Sequence, residues 1–429
     1  MQKLGILAII VSCLIVAAGA VTWLYLNESQ NNTGETSITE TQVRFADESN
    51  ATAGSVNTLV DSLNDFSFEF YKKLLENNDD NIFFSPYSIF VALSMVYEGA
   101  SGNTAVEMQN ILNILQNNSV TQSSFGRIYN LLNQNQDGYT INTANAFWTH
   151  QDYKFLDSYL KLLESYYMAE ANELDFSKNV EAAEIINTWI EEQTNDKIKD
   201  MIKPSMLSDL TKLVLTNAIY FKGLWEKQFD PDDTYETDFK ISNDKTVKTD
   251  MMFYTDENST FNYTETDGLQ VLELDYKDND LSMLILLPKE NNISTAESAL
   301  NAKNLTNWRN DLEKNEIIVK IPKFKFETEY NLNDVLKNMG VIDAFRPGVA
   351  DFSKMDGTKN LFISKVLHKA FIEVNEEGTE ATAATAIIVE LTAVMTTEFN
   401  ADHPFIFIIQ HRETGAVLFM GKVIDPSVE

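Results

Sequence analysis

Glu376-Glu377-Gly378-Thr379-Glu380-Ala381-Thr382-Ala383-Ala384-Thr385-Ala386 is the run on which the fold turns. Its side chains are almost all small, and along a β-strand successive side chains point to opposite faces. Alternate residues from Thr379 are Thr379, Ala381, Ala383, Thr385, Ile387, Val389 and Leu391, a small or apolar set suited to burial under a sheet. The other parity is Glu380, Thr382, Ala384, Ala386, Ile388 and Glu390, with both carboxylates on one side. One face for a core and one for water is the pattern of a strand. No proline lies between Pro347 and Pro404, so nothing in the run removes a ladder donor. Composition alone also allows an Ala/Thr-rich linker or a short helix, although Thr379, Thr382, Thr385 and Ile387-Ile388-Val389 oppose helix through their branched Cβ atoms.

The surroundings decide between these. Near the start stands Asn81-Ile82-Phe83-Phe84-Ser85-Pro86-Tyr87-Ser88-Ile89, followed by Glu98-Gly99-Ala100-Ser101-Gly102-Asn103-Thr104. The middle holds Leu215-Thr216-Asn217-Ala218-Ile219-Tyr220-Phe221-Lys222-Gly223-Leu224-Trp225-Glu226. Later come Ile321-Pro322-Lys323-Phe324-Lys325-Phe326-Glu327, Val374-Asn375-Glu376-Glu377-Gly378-Thr379 and Ala401-Asp402-His403-Pro404-Phe405-Ile406-Phe407. With these signatures in this order, the chain resembles the serpins from roughly Val56 to Pro426.

The resemblance implies an α+β fold, with helices packed on a large mixed central sheet plus smaller sheets and an exposed reactive loop. It also implies a suicide inhibitor of serine proteases. In that family the protease attacks a bait bond in the loop, and the cut loop then enters the main sheet as a new strand. Inserting Thr379 to Thr392 would extend a strand by roughly 45 Å at about 3.3 Å per residue, so an attached protease must travel. The uncut fold must then be held kinetically. The resembling hinge is Glu376, Glu377, Gly378, Thr379, Glu380, Ala381, Thr382, Ala383, Ala384 and Thr385, free of bulky residues on the parity to be buried. Family spacing from Glu376 puts the reactive bond between Thr392 and Ala393, with Leu391 the alternative and Met395 a more distant one. A neutral residue before the cut argues against trypsin-like enzymes and for elastase-, chymotrypsin- or subtilisin-like targets. Ser85, Ser88, Asn217 and His368 resemble the polar cluster beneath the main sheet where it must part, and Trp225 and Glu376 the group at the top where insertion begins. Asp275 departs from the pattern, since many members carry proline there. The family also contains non-inhibitory members, so a ligand- or client-binding protein is the rival reading.

The rest of the chain fits a single folded domain over residues 56–429. Apolar residues recur at helical spacing through Leu59–Leu75, Ile89–Tyr97, Phe155–Tyr167 and Val180–Gln193. Strand-like runs occupy Leu213–Phe221, Leu269–Tyr276, Ser282–Leu287, Glu316–Ile321, Phe405–Gln410 and Ala416–Val423. A net charge of −31 argues against nucleic acid as a partner. A monomer is expected, with the target protease as partner. Among the four histidines no metal-ligand spacing occurs, and no nucleophile elbow or phosphate-cradling loop is present. Neither an enzyme, a metal nor a cofactor is expected.

Leu4 to Leu26 is an uncharged run long enough to span a bilayer. An uncleaved anchor or a cleaved signal, with a cut near Ala18-Gly19-Ala20, would each place the domain outside the membrane. Cys13, the only cysteine, follows Ile10-Val11-Ser12 as in a lipoprotein box, but the apolar run continues past it. Residues 27–55, poor in apolar groups, read as a flexible tether. An extracellular domain without a disulfide points to a prokaryotic source, bacterial or archaeal.

Overall fold

The computed structural model describes residues 45–76, 78–114, 118–133, 138–254, 260–379 and 397–428. The membrane-spanning run expected at Leu4–Leu26 and the tether up to residue 44 lie outside the described residues. So do Glu380, Ala381, Thr382, Ala383, Ala384, Thr385, Leu391, Thr392 and Ala393. No helix among the described residues is long and apolar enough to cross a membrane.

The chain opens with helix α1 (Ala53–Leu75), strand β1 (Ile82–Phe84) and helices α2 (Pro86–Gly99), α3 (Gly102–Leu112) and α4 (Asn118–Leu132). Strand β2 (Tyr139–His150), helix α5 (Asp157–Leu162), strand β3 (Glu170–Leu174), helix α6 (Asn179–Gln193) and strand β4 (Leu213–Leu224) follow. Next come β5 (Tyr235–Ser242), β6 (Lys245–Tyr254), β7 (Thr260–Glu265), β8 (Leu269–Asp275) and β9 (Leu281–Pro288), then α7 (Ile293–Ala299) and α8 (Ala302–Asp311). The last part holds β10 (Glu313–Pro322), β11 (Phe324–Asn331), α9 (Asn333–Asn338), α10 (Ser353–Asp356) and β12 (Ile363–Val374). It closes with β13 (Gly378–Thr379), β14 (Thr397–Asn400), β15 (Phe405–His411) and β16 (Val417–Val423).

Among the described residues the strands form two sheets. The central one runs β11-β12-β13-β4-β2-β3, and the other runs β1-β16-β15-β9-β8-β7-β10-β6-β5, with β14 on β10. Both mix parallel and antiparallel pairs, as β4 beside β12 and β10 beside β14 are parallel. This is the expected α+β architecture. Strands β4, β9, β15 and β16 read as near-continuous apolar runs because both of their faces are covered. On one face of the central sheet, Ala182, Ile186 and Ile190 of α6 pack with Trp148, Val214, Ala218 and Leu367. Between the sheets, Phe83 stacks on Phe419 with ring centroids 5.6 Å apart and on Phe407 at 5.8 Å.

Two expected boundaries move. Among the described residues the folded part extends upstream of residue 56: Ala46 is buried, and its backbone exchanges two hydrogen bonds with the Asn130 side chain (2.8 and 3.0 Å). Thr52 then caps α1 in a reciprocal box with Ser55. A polar composition hides this segment because side-chain caps, not apolar burial, hold it. The helix expected over Phe155–Tyr167 starts at Asp157, since the Leu156 N–H is taken by the Met355 carbonyl (2.7 Å). Its last turn widens into a π-helix at Leu163–Tyr167, ending on Met168 at φ 51°.

Candidate functional site

The site is the seam between β4 and β12. The two strands pair in parallel through seven register pairs, from Ile363↔Leu213 to Ala370↔Ile219. Above Ala370 they diverge, and β13 enters the gap from the top. Thr379 pairs antiparallel with Val374 on one side and with Gly223 on the other. The first residue of the expected inserted face, Thr379, is thus already 1% exposed. Its hydroxyl shares a 2.7 Å hydrogen bond with the Tyr276 phenol. Gly378 is required here by close approach, since a Cβ would lie 2.0 Å from the Gly223 carbonyl oxygen.

The turn feeding β13 is pinned from several elements. The Trp225 indole N–H donates to the Asn375 carbonyl (3.0 Å), and the Trp225 backbone N–H to the Glu377 carbonyl (2.8 Å). Trp225 stacks on Tyr276 with centroids 4.6 Å apart. Glu376 is buried, accepting from Thr234 Oγ1 (2.8 Å) and pairing with Lys323 Nζ (3.1 Å). Asn375 Oδ1 accepts from the Glu377 and Gly378 N–H groups, forming a local Asx turn. Asp275 lies behind Tyr276, ion-paired to Arg412 (3.3 Å), and burial raises its carboxyl above the usual range.

Lower on the seam, His368, Asn217 and Asn145 stand in one row across β12, β4 and β2 as successive register partners. They lie over the N-terminus of α2, which Ser85 caps by accepting from the Ser88 N–H (3.1 Å). The Ser85 N–H donates to His368 Nε2 (3.1 Å), so Nδ1 carries the proton and donates to Asn217 Oδ1. Asn217 Nδ2 donates to Ser88 Oγ (2.5 Å) and to Asn145 Oδ1, and Ser85 Oγ donates to the Leu418 carbonyl (2.7 Å). Burial pushes the His368 imidazole down to about 3, so it is neutral at physiological pH. The cluster is an uncharged clasp across the strands that would have to part.

The structure brings Ser85, Ser88, Asn217 and His368 together. Trp225 does not join them; it lies eight residues further along the chain from Asn217, roughly 26 Å up the sheet. Asn145, Tyr276 and Thr234 are additional members outside the motifs, and Asn375 and Lys323 lie within motifs that gave them no role. Asn145 had a signal in retrospect, as the polar residue facing Asn217 on a neighbouring strand. Tyr276→Phe should remove the bond to Thr379 while keeping the stack on Trp225, a loss of about 1 kcal/mol at the hinge. Faster cutting of the loop by a non-target protease, with little change in melting temperature, would be the readout.

Among the described residues no group of three or more His, Cys, Asp or Glu side chains could hold a metal. His403 is spent on the Pro288 carbonyl (2.7 Å) and Asp402 (2.8 Å).

Residues 61–426 match the serpin (serine protease inhibitor) family. An uncharacterised serpin-like protein of Thermococcus kodakarensis is 43% identical over 87% of each chain. The leukocyte elastase inhibitor of Xenopus tropicalis is 41% identical over 84% of this chain and 97% of its own. Among solved structures, human thyroxine-binding globulin complexed with thyroxine superposes with a TM-score of 0.79 at 31% identity, over 87% of this chain and 100% of that one. The chain belongs to the serpin family and is not an enzyme.

Proposed function

We propose that this serpin is a suicide-substrate inhibitor of elastase-, chymotrypsin- or subtilisin-like serine proteases. The observation that carries the reading is Thr379, seated between β4 and β12 with room for the following residues to continue downward only if the parallel ladder opens. The protease serine Oγ would attack the carbonyl carbon of Thr392, or of Leu391 in the alternative register. The peptide C–N bond breaks, the amine of the next residue leaves with a proton, and an ester to the enzyme remains. Insertion then replaces one parallel ladder by two antiparallel ones. Each added hydrogen bond contributes about 0.5–1.5 kcal/mol, and antiparallel pairing is the firmer of the two. The hinge supports this sense of motion, since alanine and threonine side chains bury without leaving a charge unpaired.

The domain would act outside the membrane, tethered through Leu4–Leu26 or secreted, as a monomer without cofactor. The resemblance to the thyroxine-bound globulin keeps the carrier reading as the rival. Incubation with the three protease types, read on a denaturing gel with mass spectrometry, separates them. A boiling-stable complex with a released peptide starting at Ala393 is expected. A peptide starting at Thr392 would move the bond one residue. Clean cleavage with neither complex nor gain in heat stability would leave the carrier.

A further inference from the structure

Asn-x-Ser/Thr is the acceptor sequence for N-linked sugars, and its use requires both the asparagine amide and the hydroxyl two residues on. Among the described residues the chain carries it at Asn50, Asn262, Asn292 and Asn304. We propose that Asn292 is the glycan attachment site of the folded domain.

The other three are closed by their own packing. Asn262 lies inside the ladder, paired with Glu273 of β8 and Lys314 of β10, and its Nδ2 donates to the Glu273 carboxylate (2.8 Å). Asn304 lies within α8, with its Nδ2 on the Ala299 carbonyl (2.8 Å) and Thr306 Oγ1 on the Ala302 carbonyl (3.0 Å). Residues two apart on a helix point about 200° from one another, so amide and hydroxyl cannot be taken from one side. Asn50 is exposed, but the Thr52 hydroxyl holds the capping box of α1 by accepting from the Ser55 N–H (3.1 Å).

Asn292 differs in each respect. It stands exposed in the turn between β9 and α7, with extended backbone (φ −145°, ψ 91°). Ser294 is exposed as well, and neither side chain bonds to a described group. The turn is held on both flanks, by the Lys289 N–H on the Gly268 carbonyl (3.0 Å) and by Asn291 Nδ2 on the Lys240 carbonyl (3.2 Å). Asn292 is thus presented on a fixed base, and a sugar there breaks no hydrogen bond of the fold.

In the transfer, Asn292 Nδ2 attacks the anomeric carbon of a glycan carried on a polyprenyl phosphate or pyrophosphate. The N–C bond forms as the C–O bond to the phosphate breaks. The amide gives one proton to a base of the transferase, and the lipid phosphate leaves as an anion. Modification in the cell rests on the placement of the domain outside the membrane; the openness of Asn292 does not.

Two arms of one experiment keep these apart. In the first, the folded, sugar-free full chain is incubated with a single-subunit oligosaccharyltransferase and its lipid-linked donor. In the second, the same chain is isolated from a host that glycosylates exported proteins at Asn-x-Ser/Thr. Peptide mass spectrometry before and after enzymatic removal of the sugar locates each site. Asn292 is expected to fill in both arms, with Asn262 and Asn304 empty in the first. Asn292→Gln should lose that glycan mass with no change in melting temperature, and Ser294→Thr should keep it. An empty Asn292 on the folded chain, or filling of Asn262 or Asn304 to the same extent, would overturn the site. So would an exported chain with sugar on other asparagines but not on Asn292. Asn292 filled in the first arm, with no sugar anywhere on the chain from the second, would overturn the placement outside the membrane and leave the site standing.

Discussion

Replacing Thr379 by arginine is expected to abolish covalent trapping while leaving cleavage of the loop intact. Thr379 is the first residue wedged between β4 and β12, 1% exposed, with its hydroxyl on Tyr276. Its neighbours there are Val374, Gly223 and Tyr276, none of them a carboxylate, so the guanidinium would be a buried unpaired charge, at a cost of several kcal/mol. Trapping is a race between insertion and hydrolysis of the acyl-enzyme. An added barrier of about 3 kcal/mol slows insertion by roughly 100-fold, which hands the race to water. The protease should then be recovered active and the protein cut at one bond. Thr379→Ser, which keeps the hydroxyl and small volume, should trap as the parent does. Equal complex yield for T379R and the parent on a denaturing gel would refute the insertion mechanism while leaving the family untouched.

The second large effect concerns His368. His368→Ala should cost at least 3 kcal/mol of stability, because the Ser85 N–H and the Asn217 carbonyl oxygen lose their partner in a buried setting, each at about 1–3 kcal/mol, and a cavity is added. The pH dependence has a definite sign. The folded imidazole titrates at about 3, against 6.5 for the ordinary group. Between those values the unfolded chain binds a proton that the folded one refuses, so stability is complete above pH 6.5 and falls as the pH drops towards 3. The full effect is on the order of 5 kcal/mol, spread over that window. Carboxylates begin to titrate below about pH 5, so the diagnostic range is pH 6.5 to 5. Urea unfolding across that range should show a slope in the parent that is reduced in H368A. His411, also lowered by burial, contributes a residual slope to both proteins. Parallel curves for parent and variant would mean that His368 is not the neutral clasp described.

Much of this arrangement could be read from the linear sequence, for local reasons. Strand β4 and the helix over Asn179–Gln193 follow from periodicity, and the hinge composition follows from small residues on both parities. Phe155–Tyr167 shows what periodicity leaves out: the segment is helical from Asp157 to Tyr167, but the extended Leu156, bonded to the Met355 carbonyl, sets its start and the last turn widens into a π-helix. At the N-terminal edge, Ala46 to Thr52 looked like tether because caps and an asparagine do the holding there.

The family and the small-residue hinge are legible along the chain, since they depend on side-chain volume and motif order. Contact between distant residues comes from the folded sheet. Ser85 meets His368 across 283 positions, and Thr379 meets Tyr276 across 103. Neither pairing has a local signature, because each is made by strands whose neighbours are chosen by burial and ladder bonding over the whole sheet. The same holds for the depth to which Thr379 has entered: its side chain suits a buried strand anywhere, but only the divergence of β4 from β12 above Ala370 leaves it a place.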